Sequence, residues 1–109
     1  MTPRRMRRVD EIIDARLSGS LSVGELAANL GLSVGFFTRA FKVATGMTPH
    51  QYVIDRRIAR VRRLMETEVG FAQIAATAGF ASQAYLTTQF RRQLGVTPAL
   101  LKGKQRRPS

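Results

Sequence analysis

The chain has 109 residues, 44% of them hydrophobic, with 18 Lys and Arg against 7 Asp and Glu, for a formal net charge of +11. That length allows one folding unit or two very small ones, the hydrophobic share is that of a globular chain, and no apolar run approaches the roughly 18 residues of a membrane span. Cysteine is absent, which excludes disulfides, thiol chemistry and zinc fingers, and the charge excess calls for an anionic partner, nucleic acid before a membrane surface.

In chain order, the first element is a covering helix over about residues 5–17, with Val9, Ile12, Ile13 and Leu17 at helical spacing. Ser22-Val23-Gly24-Glu25 follows as a capping box, in which the Ser hydroxyl and the Glu carboxylate satisfy free N–H groups reciprocally. The short helix it opens carries Val23, Leu26, Ala27 and Leu30, and Gly31 supplies the left-handed residue that ends it. Ser33 then caps a second helix with Phe37, Phe41 and Ala44 along one face, closed by Gly46. Two short helices joined by a tight turn containing Gly form a helix-turn-helix.

Thr48-Pro49-His50-Gln51 is the next start signal: Thr caps, Pro takes the first helical position and Gln closes the box. The linker helix it opens is expected to reach about Glu66 or Thr67, roughly 28 Å at ~1.5 Å per residue. Successive major-groove faces of B-DNA lie ~34–36 Å apart, so the expectation is two recognition helices about one turn of DNA apart. Val53, Ile58, Val61, Leu64 and Met65 are expected to pack on the flanking units and leave the arginines outward.

A second helix-turn-helix repeats the first. Phe71, Ile74, Ala75 and Ala78 make its first helix, with only Gly70 as a cap; Gly79 stops it, and Ser82 caps a helix with Leu86 and Phe90. Phe37, Phe41, Gly46, Thr48 and Pro49 recur at Leu86, Phe90, Gly95, Thr97 and Pro98, each 49 positions on. Ala27 and Ala75 are 48 apart, which places one inserted residue after the second glycine. Two copies make a tandem pair rather than a solenoid. Thr97-Pro98 opens a last helix through about Lys102. The fold expected is all-α: a first subdomain with its covering helix (1–47), a linker helix (48–67), a second subdomain (68–102) and a basic tail (103–109). The basic residues cluster at Arg4, Arg5, Arg7 and Arg8, at Arg56, Arg57, Arg60, Arg62 and Arg63, at Arg91 and Arg92, and at Lys102, Lys104, Arg106 and Arg107.

From about Val9 to Lys102 the chain resembles the DNA-binding domain of the AraC/XylS family. The resemblance is carried by Leu26-Ala27, Gly31-Leu32-Ser33, Phe37-Thr38-Arg39-Ala40-Phe41-Lys42 and Gly46-Met47-Thr48-Pro49, then Tyr52 and Arg57. In the second half it is carried by Ile74-Ala75, Gly79-Phe80, Ser82, Tyr85-Leu86-Thr87, Phe90-Arg91-Arg92 and Gly95-Val96-Thr97-Pro98. It implies seven helices and a bacterial transcription regulator, usually an activator. It also implies an asymmetric site read by a single chain through two successive major grooves. Most members carry a further ligand-binding or dimerisation domain, for which this chain has no room. It is therefore either a short stand-alone regulator, which the opening Met1 favours, or the DNA-binding end of a longer one.

On the first recognition helix the outward positions are Val34, Gly35, Thr38, Arg39 and Lys42, while Phe36 is expected to pack at the start of the helix. Arg39 suits the two acceptors of a guanine edge, and Thr38 offers a hydroxyl or a methyl to a base; both match positions the family uses. Gly35 departs from the family, which often has a reading side chain there. On the second recognition helix Gln83, Ala84, Thr87, Thr88 and Arg91 face outward, and Gln83 suits adenine. Thr88 stands where the family commonly has Arg, which implies weaker reading by this half. The base-contact candidates are Thr38, Arg39, Gln83, Thr87 and Thr88. The phosphate-contact candidates are Ser33, Lys42, Arg57, Ser82, Arg91 and Arg92, because phosphate contacts position rather than specify and helix N-termini favour anions.

Other functions find little support. The single His50 sits in the first turn of the linker helix, and no paired carboxylates, glycine-rich phosphate loop or metal-ligand cluster is present, so neither an enzyme nor a cofactor is expected. The phenylalanines fall on core faces and leave no stacking platform for RNA. The alternative to DNA reading is a degenerate member acting through protein contacts such as RNA polymerase. The partners expected are double-stranded DNA and RNA polymerase, with no membrane, a monomeric DNA-binding unit and a cytoplasmic, nucleoid-associated location.

Overall fold

The computed structural model describes residues 1–105 and is helical: α1 (Pro3–Arg16), α2 (Val23–Asn29), α3 (Val34–Thr45), α4 (Pro49–Leu64), α5 (Phe71–Thr77), α6 (Gln83–Leu94) and α7 (Pro98–Gln105). These are the seven helices expected, with no strand among the described residues. The chain divides into two compact units, Met1–Arg56 and Arg57–Ser109, so the boundary falls inside α4. Arg106 and Arg107 of the C-terminal basic cluster lie outside the described residues.

In the first unit, α1 begins two residues earlier than the apolar spacing predicts, because Thr2 accepts from the Arg5 N–H at 3.1 Å and Pro3 takes the first turn. Val9, Ile12, Ile13, Leu17, Leu26, Ala27, Phe37, Phe41 and Val53 form one buried core. The Phe37 and Phe41 rings are 5.6 Å apart and Tyr52 meets Phe41 edge-on at 5.0 Å, arrangements that aromatic quadrupoles favour. The predicted core face of α3 ends one turn early: Phe37 and Phe41 are buried, but Ala44 is exposed.

A polar clasp ties the start of α4 to α1. Tyr52 Oη donates to Asp10 at 2.6 Å, Arg56 Nη1 donates to the same carboxylate at 3.0 Å, and Arg56 Nη2 binds Asp14. Burial opposes the Arg56 charge, but Asp14 and Asp10 outweigh it and raise its pKa. Burial, then the Asp10 carboxylate, pushes the Tyr52 phenol above its ordinary value.

In the second unit Ile58, Val61, Met65, Ile74, Ala75, Ala78, Phe80, Leu86 and Phe90 are buried. The helix-turn-helix turn is built alike in both units. Leu32 N–H reaches Ala27 O at 2.9 Å and Gly31 N–H reaches Ala28 O at 3.1 Å; Phe80 N–H and Gly79 N–H repeat this to Ala75 O and Ala76 O at 2.9 and 3.1 Å. This double bond pattern needs a left-handed residue after the helix, and Gly31 and Gly79 supply it at φ of 67° and 87°. Phe80, which takes the place of Leu32 in the second turn, is buried 5.9 Å from the Tyr85 ring.

α4 stops at Leu64, short of the predicted Glu66 or Thr67. Glu66 and Thr67 N–H groups bond three residues back, to Arg63 O at 3.2 Å and Leu64 O at 3.0 Å, and the Thr67 hydroxyl donates to Leu64 O at 2.6 Å. A hydroxyl that takes up the last carbonyl competes with further helix. α7 runs past the predicted Lys102 to Gln105.

Candidate nucleic-acid interface

Both recognition helices are twelve residues long, and each is opened by a serine and closed by a left-handed glycine. Ser33 Oγ accepts from Phe36 N–H at 3.2 Å and Ser82 Oγ from Tyr85 N–H at 3.0 Å. Each cap satisfies one of the free donors at a helix N-terminus. The hydroxyls of both phosphate-contact serines are thus engaged locally, while the residues themselves stay exposed.

On α3, Phe37 and Phe41 face the core, and Gly35, Arg39 and Lys42 are exposed as expected. Thr38 is half-buried on the flank. The Arg39 side chain runs back along the helix: a Cβ placed on Gly35 would lie 3.2 Å from Arg39 Nη1 and 3.8 Å from Nη2. Phe36 departs from its expected packing role, since 48% of its surface is exposed.

On α6, Gln83, Ala84, Thr88, Arg91 and Arg92 are exposed around the buried Leu86 and Phe90. The Thr88 hydroxyl donates to Ala84 O at 3.0 Å, so its one proton is committed to the helix backbone. Thr87 is half-buried, and one side of it lines an apolar cleft of about 320 Å³ with Met65, Phe71, Ile74, Thr97, Pro98, Ala99 and Lys102. Tyr85, which the sequence reading did not select, is 37% exposed. Phe36 and Tyr85 are 49 positions apart. The repeat therefore carried the signal that one exposed aromatic occurs at the same place on both recognition helices.

The electrostatics separate the faces. Four acids of the first unit are held in ion pairs: Asp10 and Asp14 by Arg56, Glu11 by Arg8 at 3.6 Å, and Glu25 by Arg16 at 2.5 Å. The Arg16 guanidinium, with help from Ser22, holds the Glu25 carboxyl below its ordinary value. α3 and α6 contain no acid at all, and their charges are Arg39, Lys42, Arg91 and Arg92.

The central arginine cluster is not a uniform outward face. Arg62 and Arg63 are exposed, but Arg56 belongs to the clasp with Asp10 and Asp14. Arg57 is half-buried, its charge disfavoured by burial and eased by the Tyr85 hydroxyl nearby. As a phosphate contact Arg57 is thus the most internally engaged of the candidates. The expectation of arginines left outward is corrected for these two, because tertiary neighbours on α1 and α6 occupy them. Among the described residues no group of His, Asp and Glu is placed to hold a metal, and no helix is long and apolar enough to cross a membrane.

Two capped helix-turn-helix units, each with an exposed, acid-free second helix, describe a double helix-turn-helix DNA-binding domain. The known relatives agree. The family described as "Helix-turn-helix domain" matches residues 26–103. The probable transcriptional regulator LumQ of Photobacterium leiognathi is 35% identical over 91 residues, 83% of this chain and 37% of that protein. The virulence regulon transcriptional activator VirF of Yersinia enterocolitica is 27% identical over 93 residues, 84% of this chain and 34% of that protein. The crystal structure of the DNA-binding domain of AdpA, a global transcriptional factor, in complex with a target DNA superposes with a TM-score of 0.87 and 31% identity. That match covers 94% of this chain and 92% of the AdpA chain. The chain belongs to the AraC-type helix-turn-helix family of DNA-binding domains of transcription regulators. It spans little more than a third of the length of the curated relatives it matches.

Proposed function

We propose that this chain reads a specific double-stranded DNA site through two successive major grooves, with α3 in one and α6 in the other, and that it activates transcription. The observation that carries the reading is Arg39: an exposed guanidinium on an acid-free recognition helix, held in none of the ion pairs found among the described residues. Its donors fit the O6 and N7 of guanine. Thr38 adds a flank contact. On α6 the proposed readers are Gln83 and, more weakly, Thr87 and Thr88, since one lines the cleft and the other has spent its proton. Lys42, Arg91 and Arg92 grip phosphates, Ser33 and Ser82 aim capped helix N-termini at them, and Arg57 contributes least. The DNA-binding unit acts as a monomer, because two recognition helices with different outward residues suit an asymmetric site, and it acts in the cytoplasm.

Activation is proposed by analogy with VirF, which is named an activator, and requires contact with RNA polymerase. No cofactor enters the scheme.

The test is selection of bound duplexes from a random library, followed by a salt titration on the winner. Reading by both units enriches two short motifs about one helical turn apart. Neutralising about six phosphates lowers affinity roughly a thousandfold between ~50 and ~200 mM salt. A single motif would reduce the scheme to one reading helix, and a flat salt response would overturn DNA binding altogether. Transcription in vitro from a promoter carrying the selected site distinguishes activation, a rise in transcript, from repression.

A further inference from the structure

Gly35 lies in the first turn of α3, and, its chain neighbours and the backbone of the helix aside, the three closest atoms to its missing Cβ all belong to one group. Arg39 Nη1, Nη2 and Cζ stand 3.2, 3.8 and 3.9 Å from that point. The guanidinium therefore rests over the glycine. The direction follows from helix geometry: side chains lean toward the N-terminus, so residue i+4 covers residue i. A Cβ contact of 3.2 Å is tight enough to make one partner move, and here that partner is the far end of a flexible side chain.

We propose that Gly35 determines the base preference of the first unit through its missing side chain, by seating the Arg39 guanidinium over the first turn of α3. The inference rests on the reading of DNA by α3 proposed above. It is in the first turns of a recognition helix that side chains meet base edges. An arginine drawn back over position 35 brings its fork of five donors to that place. One side chain then does the reading of two positions, and the guanine contact is made nearer the helix start than an arginine extended from position 39 would make it.

The second unit shows what happens without the seat. The residues 49 positions on are Ala84 and Thr88. There a Cβ is present, the i+4 side chain is short, and its hydroxyl turns onto the Ala84 carbonyl at 3.0 Å. Nothing in α6 reproduces a guanidinium over the first turn.

The backbone at Gly35 is not in the left-handed region, so Gly35→Ala and Gly35→Leu are compatible with the helix. The experiment selects duplexes from a random library with the wild-type chain, Gly35→Ala, Gly35→Leu, Arg39→Ala and the double variant Gly35→Leu/Arg39→Ala. Thermal melting of each variant checks folding. The wild-type chain is expected to prefer guanine at one position, and Arg39→Ala to abolish that preference. Gly35→Ala and Gly35→Leu are expected to weaken the same preference about tenfold, or to shift it by a base pair, with no fall in melting temperature. The double variant should read like Arg39→Ala alone, because both changes act on one contact. Unchanged guanine preference in both Gly35 variants would overturn the inference while leaving DNA reading intact. So would a double variant whose loss of affinity for the selected site equals the two single losses added together. A wild-type chain that enriches no sequence would overturn base reading itself, and the role of Gly35 with it.

Discussion

The two recognition helices share one scaffold and present different surfaces. α3 and α6 have the same length, the same serine cap and the same left-handed glycine at the end. Their inward residues correspond: Phe37 with Leu86, and Phe41 with Phe90. Outward, Gly35 and Arg39 become Ala84 and Thr88, whereas Lys42 and Val43 become Arg91 and Arg92. The exposed Val43 of the first unit, 88% accessible, is an arginine in the second. Packing keeps the inner positions of both copies apolar, because each side chain there is fully removed from water. The outer positions are free of that constraint, so one copy can carry a reading group and the other a pair of phosphate grips.

The strongest challenge to this shared scaffold is removal of the corresponding core rings. Phe41→Ala and Phe90→Ala should each destabilise by about 3–5 kcal/mol, since both side chains are fully buried. Denaturant unfolding followed by helical circular dichroism measures the loss. A loss under about 1 kcal/mol in either unit would break the equivalence of the two cores.

The surfaces should respond unequally. Arg39→Ala should lower affinity for the selected site by ~1–3 kcal/mol and relax one base pair, whereas Thr88→Ala should stay within about 0.5 kcal/mol. Arg92→Ala should weaken every duplex by a similar factor and flatten the salt slope by about one unit. Binding titrations against the selected site, single-base variants and unrelated DNA separate these outcomes. Equal loss on all duplexes for Arg39→Ala would make it a phosphate contact and erase the division of labour. Thr88→Arg sharpens the same contrast, since it copies the Arg39 position into α6 and should add selectivity there.

A smaller and equal effect is expected from the caps. Ser33→Ala and Ser82→Ala should each lower stability by about 1 kcal/mol, because each hydroxyl accepts one N–H at 3.0–3.2 Å. Melting temperatures of the two variants measure this, and a cap that matters in one unit alone would contradict the matched geometry.

The smallest effect concerns acid. α2 has the Ser22–Glu25 box, but α5 starts at Gly70 with no side-chain cap. Hydrogen bonding from Arg16, with its charge and Ser22, lowers the Glu25 pKa. A lowered carboxyl contributes stability that is fully present above its unfolded value and is lost as pH falls through the folded one. The pair is exposed, so the contribution is small. Melting followed against pH should show the wild-type chain above Glu25→Gln near neutrality, with the two curves converging in acid. Parallel curves at all pH values would remove Glu25 from the pH response.

Much of the fold was legible in the sequence because its signals are local. Ser22, Ser33, Thr48 and Ser82 each satisfy an N–H three residues on, and such a bond depends only on the residues spanning it. Gly31 and Gly79 mark their turns because few other residues enter the left-handed region. The 49-residue repeat also placed Arg39 and Lys42 on the outward face, since a helix period converts spacing into direction. Even the start of α1 was present in Thr2 and Pro3, although the apolar spacing alone put it two residues later.

What the tertiary structure alone decided is which charges and rings are engaged. Arg56 and Asp10 are 46 residues apart and Arg57 and Tyr85 are 28 apart, so no local pattern pairs them, and a cluster of arginines looked uniformly outward. Phe36 was expected to pack at the start of the helix, yet it points about 100° away from the buried Phe37, and only the packed core shows which side is covered. The seat of Arg39 over Gly35 belongs to both levels. Sequence alone puts glycine four residues before arginine on an outward face; the folded helix brings the guanidinium down onto it, 3.2 Å from where a Cβ would stand, because a side chain four residues on leans back toward the helix start.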